Sequence, residues 1–206
     1  TLLSAFVLGI GMYNLNAQTS SDCYHYYDYV VSSNQNWTIN SLPINGSANA
    51  PEGELRIDNW LTIEAGYTLT LHSDVSLAFG NHGGITIEPG AELIVDGATL
   101  TKGCDGSWKG IEVLGNTIER QTSIYQGKVQ LMNGATIEFA EMGVSLIGRD
   151  TDMEYVWSSA GGILKAENSV FKNCLGAVEF MAYQNHNANG TEIRNISSLS
   201  NCSINI

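Results

Sequence analysis

Charge and proline are both scarce in this chain. Only 15% of its 206 residues are charged and only three are proline, where an average soluble domain is about a quarter charged. A proline-rich linker and a highly charged disordered tail are thereby excluded. Basic residues are scarcer still. Nine Lys and Arg face 21 Asp and Glu, a formal net charge of −12, which excludes a nucleic-acid partner held through its phosphates. No apolar run reaches the roughly 20 residues that a membrane-spanning helix needs. The four cysteines, Cys23, Cys104, Cys174 and Cys202, include no CxxC pair and no Cys/His cluster, which argues against a zinc site. In an oxidising compartment they allow three pairings, and buried free thiols are the alternative.

In their place stand 22 glycines and 19 asparagines among many Val, Ile and Leu. A helical bundle draws instead on Ala, Glu, Lys and Leu. The first residues, Leu2 to Met12, form a short apolar run followed by Leu15-Asn16-Ala17-Gln18. This reads as a secretory signal peptide over residues 1–17, cleaved between Ala17 and Gln18. At the other end Ser203-Ile204-Asn205-Ile206 stops inside a strand-like alternation. The expectation is an N-terminal fragment of a secreted protein, truncated at its C-terminus.

From residue 55 the chain repeats itself. Thr62-Ile63-Glu64-Ala65-Gly66 and Leu69, Leu71 recur 24 positions later as Thr86-Ile87-Glu88-Pro89-Gly90 and Leu93, Val95. The same step reaches Ile111 and Glu112. Further on the spacing widens: Asn133-Gly134-Ala135-Thr136-Ile137 echoes Asp96-Gly97-Ala98-Thr99-Leu100, and Gly143-Val144-Ser145-Leu146 is echoed by Gly176-Ala177-Val178-Glu179. Widening is expected when insertions loop out of a repeat whose strands stay stacked. Within each unit apolar residues alternate at period two in runs of three to five, broken by Gly, Asn or Asp, the pattern of short strands with one buried face.

A repeat of about 24 residues made of three short strands predicts an all-β fold, a right-handed parallel β-helix. The leucine-rich-repeat pattern of similar length is absent. The helix is expected over 55–206, and residues 18–54, with Tyr24, Tyr26, Tyr27, Tyr29 and Trp37, as an N-terminal cap over the open end of the stack. Stacking at about 4.8 Å is expected to align Ile63, Ile87 and Ile111 inside, and Glu64, Glu88 and Glu112 as an outward column.

The stretch Ile85 to Asn116, with IEPGAELIVDGATLT followed by WKGIEV, resembles secreted right-handed parallel β-helix proteins of the Bacteroidota, and the LNAQ end of the signal peptide suits that source. The resemblance implies secretion, commonly with a C-terminal type IX sorting domain, and a pectate-lyase-like fold. Lyases of that fold place a Lys or Arg base beside acidic calcium ligands. Here Lys102 and Lys109 flank Asp105, and His82-Gly83-Gly84 is the nearest match to a polygalacturonase motif but lacks its partners.

Two further sets of residues are candidates. Asp150, Asp152 and Glu154 alternate in a loop and offer oxygen ligands of the kind Ca²⁺ takes; a solvated acidic loop is the plainer reading. Trp60 and Trp108, two repeats apart, could form a sugar platform, with packing at a corner as the ordinary alternative. No catalytic set emerges. The function expected is a secreted or cell-surface structural or adhesive module contacting extracellular polysaccharide or cell-surface components. The alternative is the first part of a polysaccharide lyase or hydrolase.

Overall fold

The computed structural model describes residues 28–43 and 52–206. The signal segment 1–17, Cys23, Tyr24, Tyr26 and Tyr27 lie outside the described residues. The chain winds as a right-handed parallel β-helix, three strands to a coil. The first coil is β1 (Tyr29–Val31), β2 (Gln35–Trp37) and β3 (Glu54–Ile57). The second is β4 (Trp60–Ile63), β5 (Thr68–His72) and β6 (Ser76–Phe79), and the third β7 (Gly84–Ile87), β8 (Glu92–Asp96) and β9 (Thr99–Lys102). Then come β10 (Trp108–Val113), β11 (Lys128–Met132) and β12 (Thr136–Glu138), followed by β13 (Ala140–Ser145), β14 (Ile163–Glu167) and β15 (Val170–Lys172). The sixth is β16 (Gly176–Glu179), β17 (Ser198–Ser200) and β18 (Ser203–Asn205).

Equivalent strands pair in parallel from coil to coil and make three six-stranded sheets. Sheet A holds the first strand of each coil, sheet B the second and sheet C the third. Inside, the alternation stacks like on like. Leu69, Leu93, Val129 and Leu164 form one ladder in sheet B, and Leu55, Leu77, Leu100, Ile137 and Phe171 one in sheet C. All are buried, and each large aliphatic contributes roughly 1.5–3 kcal/mol by leaving water. Among the described residues no helix is long and apolar enough to cross a membrane.

The asparagine content has a structural cause. Asn133, Asn168 and Asn201 occupy the corner between sheets B and C on successive coils with φ of 56°, 49° and 51°, a left-handed conformation that Asn tolerates better than other side chains do.

Three expectations are corrected. The helix starts before residue 55, because β1 and β2 already pair with β4 and β5; Tyr29 and Trp37, read as cap, belong to the first coil. The interior ladder does not run Ile63–Ile87–Ile111. Ile85 pairs with Ile111 and Ile87 with Val113. Nine steps lead from Lys102 to Ile111 where six lead from its partner Phe79 to Ile85, and the corner before Thr99 is one residue shorter than that before Ser76, so the third register moves by two residues. Glu112 accordingly leaves the column of Glu64 and Glu88 and pairs with Thr86 and Ser145. The Gly143 echo is off by one: Val144 pairs with Val178 and Ser145 with Glu179.

Candidate functional site

Apart from the segment 38–53 that joins β2 to β3, the long connections stack at one corner. At the corner from sheet A to sheet B, the first three coils turn within 32–34, 64–67 and 88–91, whereas the next three carry the loops 114–127, 146–162 and 180–197. Stacked on one edge of a rigid solenoid, these loops form a wall. Insertions confined to one face of a repeat fold commonly mark its binding face.

Buried amides tie the wall together. Gln121 Nε2 donates to the carbonyls of Gly161 and Gly162 at 3.3 and 3.2 Å, while its Oε1 accepts from Ile196 N at 2.8 Å. Its own backbone N–H donates to Asn185 Oδ1 at 2.9 Å, and Asn185 Nδ2 donates to Arg194 O. One side chain thus joins all three loops. Gln126 closes the first loop by accepting from Asn116 N at 2.6 Å and donating to Asn116 O and Glu119 O. Tyr183 of the third loop donates to Glu119 O. Gln121, Gln126 and Asn185 are all buried, so each of these bonds stands in place of one to water.

Where the wall meets sheet A, a polar cluster grows from the ladder Glu112–Ser145–Glu179. Arg149, from the second loop, reaches both carboxylates, with Nη2 2.9 Å from Glu179 and Nη1 4.0 Å from Glu112. Its guanidinium lies 4.7 Å from the Tyr155 ring centroid. The Tyr155 hydroxyl donates to Glu179 at 2.5 Å and Ser145 Oγ to the other oxygen at 2.7 Å. Burial pushes the Glu112 carboxyl above its ordinary value. Burial also pushes Glu179 upward, but the hydroxyls of Tyr155 and Ser145 and the charge of Arg149 outweigh it and hold that carboxyl low.

Beyond Tyr155 stands Trp157, 62% exposed, its ring centroid 5.6 Å from that of Tyr155 at 55°. Other large apolar side chains are exposed on the same loops: Ile118, Ile124 and Tyr125 on the first, Met153 on the second, Ile193 and Ile196 on the third. The third loop also encloses a shallow cavity of about 360 Å³, lined by Gln184, Asn185, His186, Gly190 and Glu192.

The residues singled out in the sequence fall elsewhere. Trp108 is buried and stacks on Phe79 at 4.7 Å, its Nε1–H donating to Glu138 O. It presents no face to a sugar. Trp60 is half-buried, lies over Gly84 and does not share a column with Trp108. Asp150, Asp152 and Glu154 are exposed on the second loop, but Asp150 Oδ1 accepts from the backbone N–H groups of Asp152 and Glu154 at 3.0 Å. That carboxylate caps its own turn, and among the described residues no group of three or more acidic, His or Cys side chains converges as a metal site. Lys109 pairs with Glu141 at 2.7 Å and Lys102 sits over the Phe139 ring, so the two lysines do not gather at Asp105. Glu88 accepts from Ala65 N at 2.9 Å, capping the turn of the coil below. Cys104 is joined in a disulfide, whereas Cys174 and Cys202 are free.

No protein-family model, curated protein or solved structure matches this chain.

Proposed function

We propose that the chain is a secreted or surface-displayed β-helix acting as an adhesive module, which holds extracellular polysaccharide against the wall of loops 114–127, 146–162 and 180–197. The observation that carries this reading is the stacking of three long insertions at the same corner of three successive coils. There they are cross-braced by buried amides and expose aromatic and aliphatic side chains. A plain spacer needs neither the insertions nor the bracing. The Cys104 disulfide suits an oxidising compartment, and the resemblance of residues 85–116 to secreted bacterial β-helices points the same way.

The opposite displacement of the Glu112 and Glu179 carboxyls favours a second reading, a polysaccharide hydrolase, since acid and base are often separated in this way. Against it, Glu179 is occupied by Tyr155, Ser145 and Arg149, and Arg149 stands between the two carboxyls. That arrangement clamps a loop to a sheet rather than leaving room for a glycosidic bond. A glycan array run beside an assay for new reducing ends and unsaturated products separates the readings. Binding without product is expected; product formation overturns the adhesive role, and neither binding nor product leaves a spacer.

A further inference from the structure

The surroundings of Trp157 narrow the ligand class, an inference that rests on the polysaccharide-binding reading above. The ring is exposed but the turn that carries it is held by hydrogen bonds to the residues on either side. Val156 N donates to Gly148 O at 3.0 Å and Ser159 N to Val156 O at 2.8 Å. From the first loop, Gly115 N reaches Ser159 O and Thr117 N reaches Ser158 O. Ser159 Oγ accepts from Gly148 N and donates to Val156 O. An aromatic face presented on a pinned turn loses little conformational freedom when a ligand settles on it.

Beside it lies the tilted Tyr155 ring, and on the neighbouring loop Ile118, 80% exposed, follows Thr117, whose N–H bonds to Ser158 O. This mixture fits a pyranose, whose C–H face is apolar and whose rim carries hydroxyls. A protein partner would call for a larger continuous apolar patch, whereas here the apolar residues alternate with Glu119, Arg120, Asp152 and Glu154.

The local charge sets the class of sugar. Across the three loops and their base, seven carboxyl groups (Glu112, Glu119, Asp150, Asp152, Glu154, Glu179 and Glu192) outnumber three arginines, Arg120, Arg149 and Arg194. Arg149 is taken up by Glu179, Glu112 and Tyr155, and Arg120 lies over the Tyr125 ring. The wall is net negative, and a uronate would enter a field of its own sign that reaches over about 8–10 Å at moderate salt. We infer that the Tyr155–Trp157 corner is a subsite for an uncharged pyranose of a neutral polysaccharide, and that the surrounding carboxylates turn polyuronates away.

Affinity electrophoresis of the chain through gels containing hydroxyethylcellulose, mannan or xylan, and in parallel polygalacturonate or alginate, tests this at low and high salt. At least one neutral polymer is expected to retard the protein, and Trp157→Ala to weaken that retardation about tenfold or more as the stacking surface is lost. The acidic polymers are expected to bind poorly at low salt, and the double change Asp152→Asn with Glu154→Gln to raise their retention, a gain that an unfolded variant does not produce. Preference for the acidic polymers overturns the inference while leaving polysaccharide binding intact. Retardation indifferent to Trp157→Ala overturns the subsite. No retardation in any gel, with the far-ultraviolet strand signal preserved, overturns the polysaccharide reading itself.

Discussion

Replacing Gln121 by alanine removes a side chain that hydrogen-bonds from the first loop of the wall to both of the others. Its amide makes three hydrogen bonds, to Gly161 O, Gly162 O and from Ile196 N, and the side chain is buried. The two glycines are buried, so their carbonyls lose a partner that water does not readily replace. Ile196 is exposed, and its N–H can turn to solvent at little cost. An orphaned buried polar group costs roughly 1–3 kcal/mol, so two carbonyls and a small void put the change at about 2–4 kcal/mol. The loss falls on the loops, because the strand ladders beneath keep their own backbone bonds. Hydrogen exchange read by mass spectrometry is the assay. Peptides from 114–127, 157–162 and 180–197 are expected to exchange on the order of 30-fold to several hundredfold faster, with β5, β8 and β11 unchanged. Loops that stay as protected as before would refute the keystone role, and uniform loss of protection would show that the wall and the solenoid unfold as one unit.

Other perturbations follow from the same geometry. Gly110 has φ +98°, and a Cβ there would lie 1.6 Å from Met142 O. Gly110→Ala should therefore cost more than about 3 kcal/mol, read as a drop in the urea midpoint; a drop equivalent to under 1 kcal/mol would mean that the neighbouring strand moves aside. Leu93→Ala, at a fully buried ladder position, should cost about 2–5 kcal/mol in the same assay, and a near-neutral result would deny the interior ladder its weight.

The two cluster carboxyls should titrate in opposite senses. Glu179, held below its ordinary value near 4.5, stabilises the fold above that pH and loses its contribution as pH falls through the lowered folded value. Glu112, raised above 4.5 by burial, adds stability as pH falls through its raised folded value and none near neutrality. In melting temperature against pH, Glu112→Gln should abolish a gain just above 4.5 and Glu179→Gln should soften the acid loss below it. Curves superimposable on wild type would contradict both assignments.

Much of the solenoid was legible because its rule is local. Ile63 and Ile87, Leu69 and Leu93, and Leu71 and Val95 fall in register as the 24-residue step requires, and Thr136 pairs with Thr99 as the Asn133 echo implies. The rule failed where a connection changed length. The longer path from Lys102 to Ile111 took Glu112 out of the Glu64 column, and a one-residue slip hid Glu179, since a shift of one reverses which side of a strand a residue faces. Aligned correctly, Ser145 and Glu179 would have shown the ladder on which the cluster is built. Trp108 was open to two readings because an aromatic before a strand can face either way; its hydrogen bond to Glu138 O and its stacking on Phe79 depend on partners remote in sequence. The bracing glutamines left no signal at all. Gln121 bonds to residues 161, 162, 185 and 196, and nothing in a polar loop announces which amide will be buried. Trp157 stands in the same loop as the acidic triplet 150–154, but a single aromatic in a loop carries no pattern that sets it apart.

The most direct test of the central claim, that the loop wall is the binding face, is to map a neutral ligand on isotope-labelled protein by amide chemical shifts, using hexasaccharides of β-1,4-linked glucose and mannose. Shifts concentrated in 114–127, 146–162 and 180–197, strongest around Tyr155 and Trp157, are the expected result. Shifts confined to the outer faces of sheets B and C, with the three loops unmoved, would contradict it.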